Sequence, residues 1–594
     1  MAKPTTVTKA EAQAAVEAHP SRRAAALSLG IHHSTLARIL GNVKAKNPQR
    51  VGVSPEDAKR AFLECGGVKA ETARRLGIHT ETLRKLLAET DIEDKPLAAG
   101  RLGYITANEL PMPTDKTVRY LLTSAQNNTP VHKQFWSNLL AYSEHLGARL
   151  MVSRFTYNKA SYASAKSVKP GRGPNDDDLR ECWYDNAILP FICDEPDEHG
   201  YGRWRLAPGL VFAAEMNILP TASRPLSGLK AYTGRDSSIF PHSKQELESV
   251  ESGPSEAAKF MYTTGCCTQR NYIQKKAGLK AESHHAYGFA IVEVKPNGSW
   301  YVRQIEANLD GSFYDVPSTN KLCTLVHKGA VTDGHRAEGI NWGDVHAVEA
   351  DPDVVELNWG KGGILDSIQA RNQLMHDILS FRSRSHHEQK SFDRMFEKWL
   401  EGTDSVETEV SETARLMHTA HRAWCNQLVV SSNHDRHGER WLNEADYRQD
   451  LLNAEFFLEA QLERVRAMRE RRAWTFAEWG LRRAECPPTA RFLGQDESFI
   501  LCPGINGGVE CGMHGDEGAN GARGSTMGYT RLARRINKGH DHRAAKMDHV
   551  MSAGACARWF PYMSGPGGQS VSHIITMPDS GRFIITLWNG DWRG

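Results

Sequence analysis

Apolar and polar positions follow two different periods along the chain. Over residues 10–90 the period is helical, and the pattern occurs twice. Leu29-Gly30-Ile31-His32 returns 47 positions later as Leu76-Gly77-Ile78-His79. Each copy predicts a helix, a Gly turn and a second helix begun by Ser or Thr capping residues, with Leu36, Ile39 and Leu40 forming an apolar stripe. From about residue 113 strand-like runs alternate with helical ones. Tyr120-Leu121-Leu122 and Ala148-Arg149-Leu150-Met151-Val152 read as strands around a helix over residues 131–145. This β-α-β unit has no Gly-rich phosphate loop, so it predicts no nucleotide site. Residues 289–295 and 299–303, joined by Pro296-Asn297-Gly298, predict a hairpin with Glu293 and Lys295 on its solvated face. Those two residues are half of a restriction-type nuclease motif, without a convincing upstream Pro-Asp partner. Residues 388–424 and 446–483 read as charged helices, Leu428-Val429-Val430 as a buried strand, and residues 572–576 and 582–588 as a terminal hairpin. Polar segments at 41–53, 91–112 and 157–180 read as linkers or loops, the last carrying Asp176-Asp177-Asp178. The expected division is a head at 1–90, a linker at 91–112, an α/β region at 113–330 and a second α/β region at 331–594 with helical insertions.

Composition adds three constraints. A chain of 594 residues with 40% hydrophobic positions is large enough for about three globular domains. No run of about 18 apolar residues suggests a membrane span, and the N-terminus lacks a signal-peptide core, so a cytoplasmic protein is expected. The 11 cysteines are odd in number, with no Cys-x-x-Cys pair, and read as reduced thiols. Net charge is only +2, but residues 1–90 hold 15 Lys and Arg against 8 Asp and Glu. A basic head on a mildly acidic body predicts a polyanionic partner. The duplicated unit resembles the helix-turn-helix of Fis-type and resolvase-type DNA-binding domains. That resemblance implies DNA contact through the second helix of each copy, with Arg38 in the first and Arg84 and Lys85 in the second. Two tandem modules would raise affinity through effective concentration.

Five stretches in the last 260 residues carry candidate chemistry. In order they are Asp344-Val345-His346, His376-Asp377, Asn433-His434-Asp435, His514, and His540-Asp541-His542. Phosphodiester hydrolysis needs an oxygen nucleophile to approach an anion, which two divalent cations about 3.5–4 Å apart assist. Such a site takes a bridging carboxylate, neutral imidazoles and an amide oxygen, and these stretches supply that set. As an ordered series it resembles the calcineurin-like metallophosphoesterase superfamily. The resemblance implies an α/β metallophosphoesterase core, a β-sandwich flanked by helices, over residues 331–594. It implies Asp344, His346 and His542 at one metal, Asn433, His514 and His540 at the other, and Asp377 bridging both. His434 would act as general acid or transition-state stabiliser, with Asp435 orienting its ring. Two departures stand out: His376 where Gly is usual before the bridging Asp, and Ser432 where Gly is usual before Asn-His. Asp351, Asp353 and Asp366 compete for the bridging role. Oxygen and imidazole ligands without Cys favour Mn2+, with Mg2+, Fe or Zn2+ as alternatives.

The segment Phe381-Arg382-Ser383-Arg384-Ser385-His386-His387 is expected to grip a DNA backbone through Arg382, Arg384, His386 and His387. Gly515–Gly524 is expected to bring backbone close to phosphate. The whole layout resembles the early, first-step-transfer DNA-degradation nucleases of T-five-like bacteriophages. That family implies a metal-dependent DNase acting on host DNA in the infected cell's cytoplasm, with assembly into a homo-oligomer left open. Two other readings fit the same motifs: a phosphatase or nucleotidase tethered to DNA, and a non-catalytic DNA-binding regulator.

Overall fold

A computed structural model of the chain describes residues 7–19, 22–40, 53–65, 69–88, 106–157, 183–195, 202–253, 256, 258–316, 322–560, 562–563 and 567–593. It divides into two units, residues 1–98 and 99–594. The linker segments expected at 41–52 and 91–105, and the acidic run at 176–178, lie outside the described residues.

The first unit holds the duplication, and each copy has three helices. They are Lys9–Ala18, Arg22–Ser28 and His33–Leu40, then Pro55–Glu64, Lys69–Arg75 and Thr80–Ala88. Thr8 and Ser54 cap the leading helix of each copy by accepting hydrogen bonds from backbone N–H groups three residues on. Gly30 and Gly77 turn the chain with φ of 64° and 63°, a left-handed geometry that Gly adopts without steric cost. Ala12, Ala25, Ala26, Leu36 and Leu40 form one small core, and Ala58, Ala73, Leu83 and Leu87 the other. Small Ala side chains let the helices cross closely, as the sequence pattern predicts.

Among its described residues the second unit is built from four sheets. A four-stranded sheet pairs Val118–Gln126 in parallel with Arg149–Phe155 through the crossover helix Lys133–Leu146, and antiparallel with the hairpin Gly288–Val294 and Trp300–Glu306. The hairpin is present, but Glu293 is buried rather than solvated. Its strand lies inside the sheet, and Glu293 accepts from Arg119 at 2.9 Å and Arg303 at 2.6 Å. Arg303 is also bidentate to buried Asp315, at 2.5 and 2.6 Å. The carboxylate is therefore committed to an internal ion network.

A six-stranded sheet runs in the order Arg491–Phe492, Asn426–Val429, Asn372–Met375, Gly339–Asn341, Ser572–Thr576 and Arg582–Thr586. The first four strands are parallel, and the terminal hairpin closes the sheet antiparallel. Alternation along its strands builds two cores. Leu374 and Leu428 face Leu501, Val509 and Cys511 of a second, eleven-stranded sheet. Met375, Val429 and Ile575 face the other way, onto helices contributing Val354, Trp359, Val410, Met417 and Leu481. The result is two facing sheets with helices on the outer face of one.

The expected boundary near residue 330 is not a division of this unit. The eleven-stranded sheet draws strands from residues 108–263 and from 500–552. They join where Leu247 pairs with Lys546 and Glu248 with Ala545. Splitting the chain at 330 would expose these backbone ladders. Among the described residues no helix is long and apolar enough to cross a membrane, and the ten described cysteines form no disulfide.

Candidate metal centre

Three parallel strands, Gly339–Asn341, Asn372–Met375 and Asn426–Val429, deliver their carboxyl ends to one edge of the six-stranded sheet. Asp344 and His346 follow the first, Asp377 the second, and Asn433 and His434 the third. Val509–Glu510 and Ile536–Lys538, parallel neighbours in the facing sheet, bring in His514, His540 and His542. Backbone bonds lace the carrying loops together. Val345 N donates to His376 O at 2.9 Å, His346 N to Asp377 O at 2.8 Å, and Gly539 N to His514 O at 2.8 Å. Ligands on loops fixed in this way are held rigidly.

His346, Asp377, His540 and His542 have positive φ, of 42°, 43°, 71° and 52°. Non-Gly residues in this region cost about 1–3 kcal/mol each, and such strain gathers where function requires a fixed geometry. Gly343 and Gly539 allow the close approach. A Cβ on Gly539 would stand 2.1 Å from Asp344 Oδ1, and one on Gly343 would stand 2.6 Å from Ala555 N.

The ligating atoms of His346, Asp377 and His542 lie within 4.8 Å of one another, as do those of Asp344, Asp377 and His514. All five residues are buried. His542 Nε2 is 3.1 Å from Asp344 Oδ2, and His514 Nε2 is 3.2 Å from Asp377 Oδ2 and 2.9 Å from Asn433 Oδ1. His346 Nε2 is 3.6 Å from Asp377 Oδ2. His540 stands at the side: its backbone N–H donates to Asp344 Oδ2 at 2.8 Å, and its ring packs edge-on against His514. Asp344 Oδ1, Asp377 Oδ2 and the Nδ1 atoms of His346 and His514 are buried without a hydrogen-bond partner. Polar atoms are seldom left so, and a coordinated cation is a standard reason. The donor set fits divalent cations on that ground.

The electrostatics agree with a cation-seeking centre. Burial opposes ionisation of Asp344, yet the His542 hydrogen bond and neighbouring imidazoles bring its carboxyl down to about 2. Asp377 is held well below the usual carboxylate range, because His514 and His434 outweigh its burial. Burial acts downward on His514 too, but the charge and hydrogen bond of Asp377 raise it to about 9. His346 is driven well below its usual value by burial and by His434.

The His434 ring is not oriented by Asp435. His434 Nδ1 is 2.8 Å from Ser380 O, so it donates to that carbonyl. Asp435 accepts from Leu379 N at 3.0 Å and Ser432 Oγ at 2.6 Å, which pins the two loops together. Burial and then Asp377 push its carboxyl up to about 7. Ser432 thus gives the hydroxyl that Gly could not. His376 is buried beside Asn341 and His514, and burial lowers it to about 4. The other bridging candidates are engaged elsewhere: Asp351 and Asp353 with Arg558, Asp366 with Arg422.

A cavity of about 400 Å³ opens beside Asp377, Asn433, His434, His540 and His542, with Arg523, Arg543 and Tyr562 on its wall. Arg523 belongs to the Gly-rich segment. The segment also turns back on itself, and Asp516 in it pairs with Arg436. Sequence reasoning missed Tyr562 and Phe560. Tyr562 OH lies 3.4 Å from His346 Nε2, and Phe560 packs edge-on against His346 and His542. Neither lies in a motif, and only folding brings them there.

The basic segment after Asp377 divides. Arg384 is buried and bidentate to Asp450 at 2.6 and 2.7 Å, so it is a structural anchor and not a DNA contact. Its guanidinium is saturated by a carboxylate that an incoming phosphate would have to displace. Half-buried His386 packs between His387 and His437, and burial lowers it to about 4. Arg382 and exposed His387 line a small cleft that reaches His434 and Tyr562. In the head, Arg84 and Lys85 are exposed on the helix Thr80–Ala88, and Arg38 lies on His33–Leu40.

The chain is 33% identical over 510 residues to the protein named Protein A1 of Escherichia phage T5, covering 84% of this chain and 86% of that one. No family model matches the chain. No solved structure matches it.

Proposed function

For this chain, which belongs to the family of Protein A1 of Escherichia phage T5, we propose on the geometry of the candidate metal centre that it is a phage DNase that hydrolyses DNA phosphodiesters with two divalent cations and degrades host DNA in the cytoplasm of the infected cell. One observation carries the reading. Asp377 belongs to both groups of converging ligands, and its buried Oδ2 lies 3.2 Å from His514 Nε2 in one and 3.6 Å from His346 Nε2 in the other. A carboxylate shared in this way is what a pair of cations requires. Asp344, His346 and His542 would hold one cation and Asn433, His514 and His540 the other, with Mn2+ favoured by a donor set of oxygen and imidazole nitrogen. Bound there, the two cations would supply the Lewis acidity that phosphodiester hydrolysis needs.

The chain's own groups do the rest. Ser380 O fixes His434 by accepting from Nδ1, which leaves Nε2 as the nitrogen that can give a proton to the departing oxygen. Tyr562 and Phe560 wall the His346 side and limit water there. Arg382 and His387 stand in the cleft that leads to His434, where a strand's phosphates would pass. Exposed Arg84 and Lys85, with Arg38, would hold duplex DNA to the head and raise its local concentration.

The test is cleavage of linear and circular duplex DNA with manganese, magnesium, zinc or EDTA, comparing wild type with Asp344→Ala and His434→Ala. Wild type should cut only with metal. His434→Ala should be slower by about 10²–10⁴-fold, the usual contribution of a proton donor, and Asp344→Ala inactive. Intact DNA with phosphate released from small esters would move the protein to the phosphatase class. No turnover with any metal would leave it a DNA-binding regulator.

A further inference from the structure

Away from the metal centre, the second unit contains a cavity of about 470 Å³ that shares no lining residue with the 400 Å³ one. Its wall carries five cationic side chains, Lys244, Arg270, Arg535, Lys546 and Arg582, against three carboxylates, Glu306, Asp548 and Asp579. Asp548 is taken by Lys244 at 2.9 Å. Asp579 accepts from Asn308 and from Gly581 N. Glu306 is left to offset Arg535, Lys546 and Arg582 on the same wall. Lys546 is 4% exposed and donates to Gln245 Oε1 at 2.7 Å, with Glu306 at 3.3 Å. Arg582 is 6% exposed and donates to Ile536 O, Asn537 Oδ1 and His549 O, while its Nε has no partner. Arg535 donates to Ser580 Oγ and O. Among the described residues no carboxylate lies within ion-pair distance of Arg535 or Arg582.

Buried cations in excess of their counter-charges are costly unless something compensates them. Burial pulls Arg582 down to about 9, with Arg535 adding to the effect. Burial likewise lowers Lys546 and Arg535. Exposed Glu306 is held low by the charges of Lys546, Arg535 and Arg582, all three of which line the cavity. The unpartnered Arg582 Nε, with the Arg535 guanidinium and the Lys546 ammonium on the same wall, is a cationic donor set of the kind that binds a phosphate group. The cavity is larger than phosphate alone needs and lies in the range of small-molecule sites.

We propose that this cavity is a second binding site, which takes a nucleoside monophosphate with its phosphate against Arg535, Lys546 and Arg582. The choice of nucleotide rests on the DNase reading, since mononucleotides are the products of complete phosphodiester hydrolysis of DNA, whereas phosphate recognition rests on the cavity itself.

Equilibrium dialysis of the full chain in EDTA, with labelled deoxyadenosine 5′-monophosphate, deoxyadenosine or inorganic phosphate, tests this without cleavage. The expected result is one monophosphate per chain, no nucleoside binding and weaker inorganic phosphate. Half-buried Arg535→Gln should weaken binding about ten-fold or more, the worth of a charged hydrogen bond. If that variant does not fold by circular dichroism, Arg535→Lys should give a smaller loss in the same direction. Asp377→Asn should bind as wild type does. Three results would overturn the site: no binding of monophosphate, binding indifferent to Arg535, or binding lost in Asp377→Asn. Inorganic phosphate binding as tightly as the monophosphate would overturn the nucleotide assignment. Because metal is absent, failure of this site and failure of the DNase reading are separate outcomes.

Discussion

Gly539 shows how closely the candidate centre is fitted. The Cβ of an alanine there would stand 2.1 Å from Asp344 Oδ1 and 3.1 Å from His376 Cβ, so a ligand or its loop must move. Gly539→Ala should therefore lower manganese affinity by about 10–100-fold, the usual effect of disturbing a group behind the ligands. Calorimetric titration with Mn2+ reads this directly, and unchanged affinity would show that Asp344 is not a ligand in this position. The same scale explains what could be read from the sequence. That Asp344, His346, Asp377, Asn433, His514 and His542 come together is legible because the candidate metal chemistry restricts residue types and their order along the chain. Tyr562 and Phe560 are not, because an aromatic wall has no spacing rule. The role of Asp435 was misjudged because neighbours in sequence need not touch: the His434 ring turns to Ser380, and Asp435 turns to Leu379 and Ser432.

At the scale of elements, the duplicated helices of the head were legible because each copy carries its own helical period and a Gly turn. The leading helices capped by Thr8 and Ser54 carry less apolar signal, mostly Ala, and do not stand out in the pattern. The strands before Asp344 and Asp377 were hard to see for another reason. Gly339–Asn341 and Asn372–Met375 are only three and four residues long and buried on both faces, so they show neither length nor alternation. Exposed Arg84 and Lys85 give the head a specific expectation. The double variant Arg84→Ala/Lys85→Ala in the full chain should bind duplex DNA more weakly and flatten the dependence of log affinity on log salt by about one to two units, since each phosphate contact contributes about 0.9. Fluorescence anisotropy over a salt series measures the slope. An unchanged slope would turn the head into a protein-docking module.

At the scale of the molecule, the second unit is one body because its sheet is assembled from distant segments. Lys546 reaches Gln245 across 301 positions, and the strand ladders at 247–248 and 545–546 join the two halves of the eleven-stranded sheet. No local pattern announces such a pairing, which is why a boundary near 330 looked reasonable from sequence. The region at 113–330 thus completes the facing sheet and supplies part of the cationic cavity. The account stands on Asp377 serving two cations at once, and electron paramagnetic resonance of a Mn2+ titration tests that most directly. Wild type should take up two Mn2+ per chain with the exchange-coupled spectrum of a close pair, and Asp377→Asn should lose the coupling. A single uncoupled Mn2+ in wild type, or coupling that survives in Asp377→Asn, would contradict the account.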